Sequence, residues 1–174
     1  MKNDRIKLIK LIAITIIVSI FFKTYIISRV HVNGPSMAPT LNNNDSALIE
    51  KISLLRKNFK RGEIIVFDSQ NVNHDVYIKR IIGIEGDEIE LRGGNIYING
   101  SNLKEPYIER NIATNGGTFL HENQKIKIKK GFVFVLGDNR MLSNDSRYFG
   151  EINIRSIEGH VILKIFPFNG FKVF

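Results

Sequence analysis

Val76-Tyr77-Ile78-Lys79-Arg80-Ile81-Ile82-Gly83-Ile84 is the stretch that sets the fold class. It is short, rich in Ile and Val, and closed at both ends by turn-forming residues, Asn73-His74-Asp75 before it and Glu85-Gly86-Asp87 after it. Such a run reads as a β-strand. Strand geometry sends Lys79 and Arg80 to opposite faces. Whichever faces inward sits among bulky apolar neighbours, where a charge is costly unless paired or neutralised. Arginine keeps its proton, whereas a desolvated lysine can lose it. The same residues also fit an edge strand with both charges in water, and the strand alone leaves that open.

Outward from this stretch the pattern repeats. Runs at 27–32, 46–50, 64–68, 88–91, 95–98, 125–128, 132–136 and 161–166 are Ile-, Val- and Phe-rich, with Gly, Asn and Asp between them. Arg92-Gly93-Gly94-Asn95 and Ile98-Asn99-Gly100-Ser101 are turn chemistry around a short hairpin strand. One short helix is expected at 52–59. The fold class is therefore mostly β, antiparallel, with a polar inserted β subdomain at about 91–130 and a mobile loop at its tip, 111–123. Lys125, Lys127, Lys129 and Lys130 alternate with apolar residues, as on the solvated face of an edge strand.

The first 28 residues differ. From Leu11 to Phe22 there is no charge, weaker apolar sequence flanks the run, and Lys7, Lys10 and Lys23 lie near its ends. A helix over about 6–27 is long enough for a hydrocarbon core of about 30 Å, and lysines near the ends can reach the headgroups. Basic residues before the apolar run predict a cytoplasmic N-terminus and an outer domain, 29–174, on the far side. A cleaved signal peptide has the same order, but 23–29 holds no small-x-small cleavage site. The expectation is an uncleaved single-pass anchor over 1–28.

Charge supports this division. The net charge is +8, and half of it falls in the first 28 residues. The outer domain carries only +4, which argues against a nucleic-acid partner. No cysteine is present, so disulfides, thiolate catalysis and Cys-based metal sites are excluded. The four histidines, 31, 74, 121 and 160, have no metal-ligand spacing. No metal and no cofactor is expected. A domain of this size needs neither to fold.

Chemistry concentrates in a few segments. Gly34-Pro35-Ser36-Met37-Ala38-Pro39-Thr40-Leu41 presents a serine on a rigid turn, although Ser-x-x-Pro alone more often marks an ordinary turn. Gly62-Glu63-Ile64-Ile65-Val66-Phe67 alone reads as core. Gly137-Asp138-Asn139-Arg140-Met141-Leu142-Ser143-Asn144-Asp145-Ser146-Arg147-Tyr148-Phe149-Gly150 packs two Asp, two Arg and two Ser behind the strand at 132–136. That loop is dense in charge-assisted hydrogen bonds, whether structural, functional or both.

These segments, in this order behind an apolar N-terminus, resemble the type I signal peptidases (leader peptidases) of Gram-positive type. Those are membrane-bound serine proteases that remove signal peptides from exported preproteins. The motifs that carry the likeness are S-M-x-P-T-L, Y-I-K-R-I-I-G-x-x-G-D and G-D-N-R-x-x-S-x-D-S-R-x-F-G. The resemblance implies Ser36 as nucleophile and Lys79 as general base, a Ser–Lys dyad without histidine. It implies Ser143 as the hydroxyl orienting the lysine amine, and Asp138, Asp145, Arg147 and Arg80 as ion-pair scaffold, with Arg80 bound to one of the aspartates. The oxyanion hole would use the Ser36 N–H and a second donor near Gly34, where some relatives carry a serine. Burial between Tyr77, Ile81 and substrate, together with the Arg80 charge, would lower the lysine pKa.

Substrate would bind as an added strand between 30–34 and 76–79. Val30, Val32, Val76 and Ile78 would line pockets for small residues, with Met37 and Tyr77 also in contact. Departures from the family pattern are mild: Glu63 where Asp is usual, and Glu85 where Pro is usual. The rival reading is a catalytically silent anchored paralogue that binds exported segments. A last expectation concerns the membrane lipid. Phe166 and Phe168 should close the core, while Phe171 and Phe174, with Lys164, Lys172 and the basic group Arg56, Lys57, Lys60 and Arg61, should face the bilayer.

Overall fold

A computed structural model describes every residue except 1, 57, 110, 111, 168 and 169, and the backbone alone at 2, 3, 21–25 and 56. Helix α1 (Lys2–Tyr25) runs unbroken. Apolar residues occupy its whole circumference, so no stripe marks a face for burial. Every described large apolar side chain of α1 is at least 45% exposed. The described side chains run only from Asp4 to Ile20, and among the described residues no helix is long and apolar enough to cross a membrane.

From residue 27 onward the chain is β. Its strands are β1 (Ile27–His31), β2 (Ser46–Glu50), β3 (Ile64–Asp68), β4 (Val76–Gly83), β5 (Glu88–Arg92), β6 (Asn95–Ile98), β7 (Ser101–Asn102), β8 (Lys125–Lys127), β9 (Phe132–Leu136), β10 (Ile152–Asn153), β11 (Ile157–Phe166) and β12 (Lys172–Val173). Two short helices, α2 (Ile52–Arg56) and α3 (Ser146–Phe149), interrupt them. The larger sheet has the order β1-β2-β11-β3-β4-β9-β10, with β12 on β11. The smaller has the order β7-β6-β5-β8. All pairings are antiparallel.

The opening strand is interior from Arg80 onward and paired on one side only before it. β3 pairs with residues 76–80 of β4, and β9 takes over on the other side from Arg80 onward. Lys79 and Arg80 are both buried. Alternation along β3 sorts the core: Ile64 and Val66 join Val32, Leu41 and Ile78 on one face, while Ile65 and Phe67 join Ile81 and Val135 on the other. A third cluster, including Ile82, Ile89, Leu91, Leu120 and Phe134, joins the two sheets.

Three expectations change. Segment 112–123 is no mobile loop: Leu120 and Thr114 are buried and Gly117 packs on the Arg147 backbone. Phe166 is 46% exposed, because β11 ends there at the sheet margin. At the tail, Phe174 instead packs on the first core cluster and Lys164 is buried on Asp45, while Phe171 is exposed. Phe168 and Lys57 lie outside the described residues. The lysines of β8 are exposed, and Lys125 pairs with Glu88.

If 112–123 is core, Leu120→Ala should cost about 2–5 kcal/mol of unfolding free energy. Chemical denaturation of the variant measures it, and an unchanged midpoint would return the segment to the surface.

Candidate active site

The turn that carries Ser36 leaves β1 and returns to β2. Val32 N donates to Asp45 O and Asn44 N to Val32 O, each at 2.9 Å, closing its neck. Asp45 is buried, accepts Asn42 N at 2.7 Å, and pairs with buried Lys164 of β11 at 2.6 Å. Inside the loop, Ala38 N bonds Pro35 O and Leu41 N bonds Met37 O. The hydroxyl is thus presented from a fastened turn. Gly34 has φ +92, a backbone region that side-chain-bearing residues rarely enter.

Lys79 projects from the sheet toward this turn. Its Nζ donates to Ser36 Oγ at 2.9 Å and to the Ile78 carbonyl at 3.1 Å, and lies 5.3 Å from the Tyr77 ring centre. The side chain is 4% exposed. Burial pushes its pKa down to about 8, while the charges of Asp145 and Asp138 pull the other way. The Arg80 charge, expected to help lower it, is instead taken up by Asp138: Nε and Nη2 reach the two carboxylate oxygens at 2.8 and 2.6 Å. Its remaining nitrogen donates to Gly62 O at 2.7 Å.

The loop behind β9 supplies the rest. Asp145 caps α3 by accepting Arg147 N, and it also takes Arg147 Nε at 2.8 Å, Nη2 at 2.9 Å and Gly137 N at 3.0 Å. Arg147 also donates to the carbonyls of Arg140, Ser143 and Asn115. Gly137 is forced by close approach. A Cβ there would collide with the Ser36 carbonyl oxygen and with the Ser143 side chain. The serine turn rests on this glycine, and Asn139 N donates to Ser36 O at 3.0 Å.

A cleft of about 520 Å³ opens over the pair. Val30 and Val32 form one wall, Val76, Tyr77 and Ile78 the other, and Leu142 and Asn144 come from the loop. Its margins are two backbone edges. Among the described residues, β1 pairs only with β2, and residues 76–79 of β4 have no strand partner on the side where β9 begins at Arg80. Ser36 N makes no hydrogen bond among the described residues.

Three site expectations are corrected. Ser143 Oγ is buried without a hydrogen-bond partner and does not reach Lys79; its side chain lies against Gly137 instead. Gly34 N is no free oxyanion donor, since it donates to Asn43 Oδ1 at 2.8 Å. Met37 is 1% exposed inside the first core cluster, because the turn at 36–41 folds it inward, and it does not line the cleft. Sequence reading also missed Glu105, Tyr107 and Thr114, which meet Arg80 and Arg140 from the inserted segment. Arg140 stood inside the quoted motif without a role. The only signal at 105–107 was a proline-flanked polar stretch.

A groove of mixed polarity, open at two strand edges over a hydroxyl–amine pair, is a peptidase-like arrangement, and comparison with known proteins gives its class. Residues 5–166 match the family described as "Signal peptidase, peptidase S26". The chain is 32% identical to "Signal peptidase IB" of Staphylococcus aureus (strain Mu50 / ATCC 700699), over 99% of this chain and 95% of the relative. It is 35% identical to "Probable signal peptidase I-2" of Synechocystis sp. (strain ATCC 27184 / PCC 6803 / Kazusa), over 95% and 75%. A crystal structure of a signal peptidase I from Enterococcus faecalis V583 is 32% identical, covers 59% of this chain and 96% of its own, and superposes with a TM-score of 0.49. The protein belongs to the signal peptidase S26 family.

The glycine contact makes a prediction. Gly137→Ala should leave the sheets intact by circular dichroism and lower peptidase activity by about 100-fold, the scale of a misplacement near 1 Å. Wild-type turnover in that variant would show that the serine turn does not depend on this contact.

Proposed function

We propose that this protein is a membrane-anchored serine endopeptidase that removes signal peptides from exported preproteins, with Ser36 as nucleophile and Lys79 as its base. The observation that carries the reading is the 2.9 Å hydrogen bond between Lys79 Nζ and Ser36 Oγ at the foot of the cleft. Serine is a weak nucleophile without an adjacent base, and lysine serves as one only when neutral. With a pKa of about 8, roughly one lysine in ten is neutral at pH 7. At its ordinary value the fraction would be roughly a thousandth or less.

In the reaction, Lys79 takes the proton of Ser36 Oγ as the oxygen attacks the scissile carbonyl. The Ser36 N–H receives the developing oxyanion. Protonated Lys79 then gives its proton to the leaving amine, which departs as the new N-terminus of the mature protein. Water enters, loses a proton to the regenerated amine, and releases the signal peptide from Ser36. The substrate lies extended between the two open strand edges, which supply main-chain hydrogen bonds. Val30, Val32, Val76 and Ile78 border the cleft and would meet the small side chains before the cut. Asp138, Asp145, Arg80 and Arg147 hold the frame, and Tyr77 covers the amine.

The anchor reading rests on α1. Its 24 residues at about 1.5 Å per residue make roughly 36 Å of helix. Its polar Thr15 hydroxyl donates back to the Leu11 carbonyl at 2.9 Å, as a side chain in lipid must find a partner within the chain. Alkaline washing of membranes should leave the full chain in the pellet and release a chain beginning near residue 29. Release of both would end the single-pass reading.

Cleavage of a purified preprotein tests the chemistry. Ser36→Ala and Lys79→Ala should each abolish it, and their losses should not add, because the two act as one unit. Lys79→Arg should be equally inactive, since guanidinium stays charged. The wild-type rate should rise about tenfold per pH unit below about 8 and level above it. Substantial cleavage by Lys79→Arg would remove Lys79 as the base, and inactivity of folded wild type on every preprotein would favour the silent paralogue.

Stability supplies an independent readout. The folded pKa lies below the unfolded one, so the fold bears a cost wherever the unfolded lysine is protonated. That cost is full below about pH 8 and vanishes above about 10.5. Lys79→Met should therefore stabilise the fold at pH 7, by up to about 3 kcal/mol. Destabilisation at pH 7 would mean that the ammonium is well solvated.

A further inference from the structure

The groups that neutralise the site's aspartates come from β4 and from the loop and helix behind β9. What covers them comes from the inserted segment. The Tyr107 ring centre lies 4.0 Å from the Arg80 guanidinium carbon. The Tyr107 hydroxyl donates to Glu105 Oε1 at 2.8 Å, and burial pushes its pKa above the usual range, so it stays a donor. Glu105 in turn accepts both terminal nitrogens of Arg140, whose Nε donates to the Gly137 carbonyl at 3.0 Å. Tyr107 and Glu105 stand outside every motif that carries the family likeness.

The two aspartates near Lys79 are not equally held. Asp145 accepts from the Gly137 N–H and from three nitrogens of Arg147. Asp138 accepts side-chain hydrogen bonds from Arg80 alone among the described residues. Its commitment therefore depends on where Arg80 sits, and the Tyr107 face covers that guanidinium. We propose that Tyr107, braced by Glu105, is a positioning residue that holds Arg80 on Asp138 and so keeps the Asp138 carboxylate from serving as counter-ion to Lys79. This rests on the reading of Lys79 as the base.

Water admitted to the guanidinium would weaken the pair, and the Asp138 charge already acts on Lys79. The remaining titratable or charged groups around the amine are few. Tyr77 lies on the same strand, Asp75 and His31 line the same cleft, and Asp145 is backed by Arg147. β3 presents uncharged Ile65 opposite Lys79.

The experiment is the pH profile of kcat/KM on a preprotein for the full-length chain, with melting temperatures alongside. Tyr107→Leu fills space without a ring face. It should move the limb near 8 upward by about one unit, the low end of what an opposite charge at close range does. Activity at pH 7 should fall about tenfold and recover in alkali. Tyr107→Phe keeps the face and should keep the wild-type limb. If Tyr107→Leu does not fold, Tyr107→Met makes the same comparison. A lower melting point with an unmoved limb in the variant that folds overturns the proposal, because the ring is then only packing. Failure of both to fold, with Tyr107→Phe fully active, overturns it in the same way. A wild-type profile with no limb near 8, or a limb that survives Lys79→Met, would sink the dyad reading itself.

Discussion

The site depends on a charge balance in a place with little water. Three guanidinium groups are buried in it, Arg80, Arg140 and Arg147, and each is matched to one carboxylate, Asp138, Glu105 and Asp145. The pairs close with hydrogen bonds on nearly every nitrogen. Arginine cannot relieve an excess of positive charge by losing a proton. A protonated Lys79 would be a fourth cation among three committed anions, and removing it from water is what lowers its pKa. The pairs are therefore more than fasteners. Had the same frame been built with one more free carboxylate, it would have held an ammonium.

The frame also explains why the serine turn and the lysine strand keep their register. Gly137 lets the Ser36 carbonyl approach the loop, and Asp145 takes the Gly137 N–H. Arg140 takes the Gly137 carbonyl. One peptide thus couples the serine turn to two ion pairs. From the other side, Asp45 and Lys164 tie the turn's return leg to β11. Buried pairs of this kind add little net stability over apolar packing, but losing one partner strands a charge. Their use is in fixing distances, and the fixed distance here is the 2.9 Å between hydroxyl and amine.

Much of this was legible in the sequence, and the failures have physical causes. Ile-, Val- and Phe-rich runs bounded by Gly, Asn and Asp marked β2, β3, β6 and β9; β6 alternates, while β3 and β9 are buried on both faces. The two-residue strands β7, β10 and β12 carry no such run, because they exist only where another strand meets them. β11 begins four residues before the expected start, since Glu158, Gly159 and His160 break its apolar run. Met37 looked like a contact because it follows the serine, yet two turn hydrogen bonds rotate it into the core. The motif loop told which residues would pair but not that Ser143 would lie against Gly137. Glu105 and Tyr107 were invisible, because a brace that acts across a fold has no local spacing.

The open strand edges close the argument from structure to substrate. Unpaired edges invite association with other chains, and this fold leaves two of them facing one cleft. Both are short: five residues in β1 and residues 76–79 in β4. Along β1, exposed Ile27, Arg29 and His31 alternate with half-buried Ser28 and Val30. A partner pairing with such edges is recognised by extended backbone and by side chains small enough for the valine walls, not by a particular sequence. Under the proposed reading, that is why one enzyme can serve many preproteins. It also means that selectivity lies in the walls. The proposed dyad, held in its neutral frame, would contribute none of it.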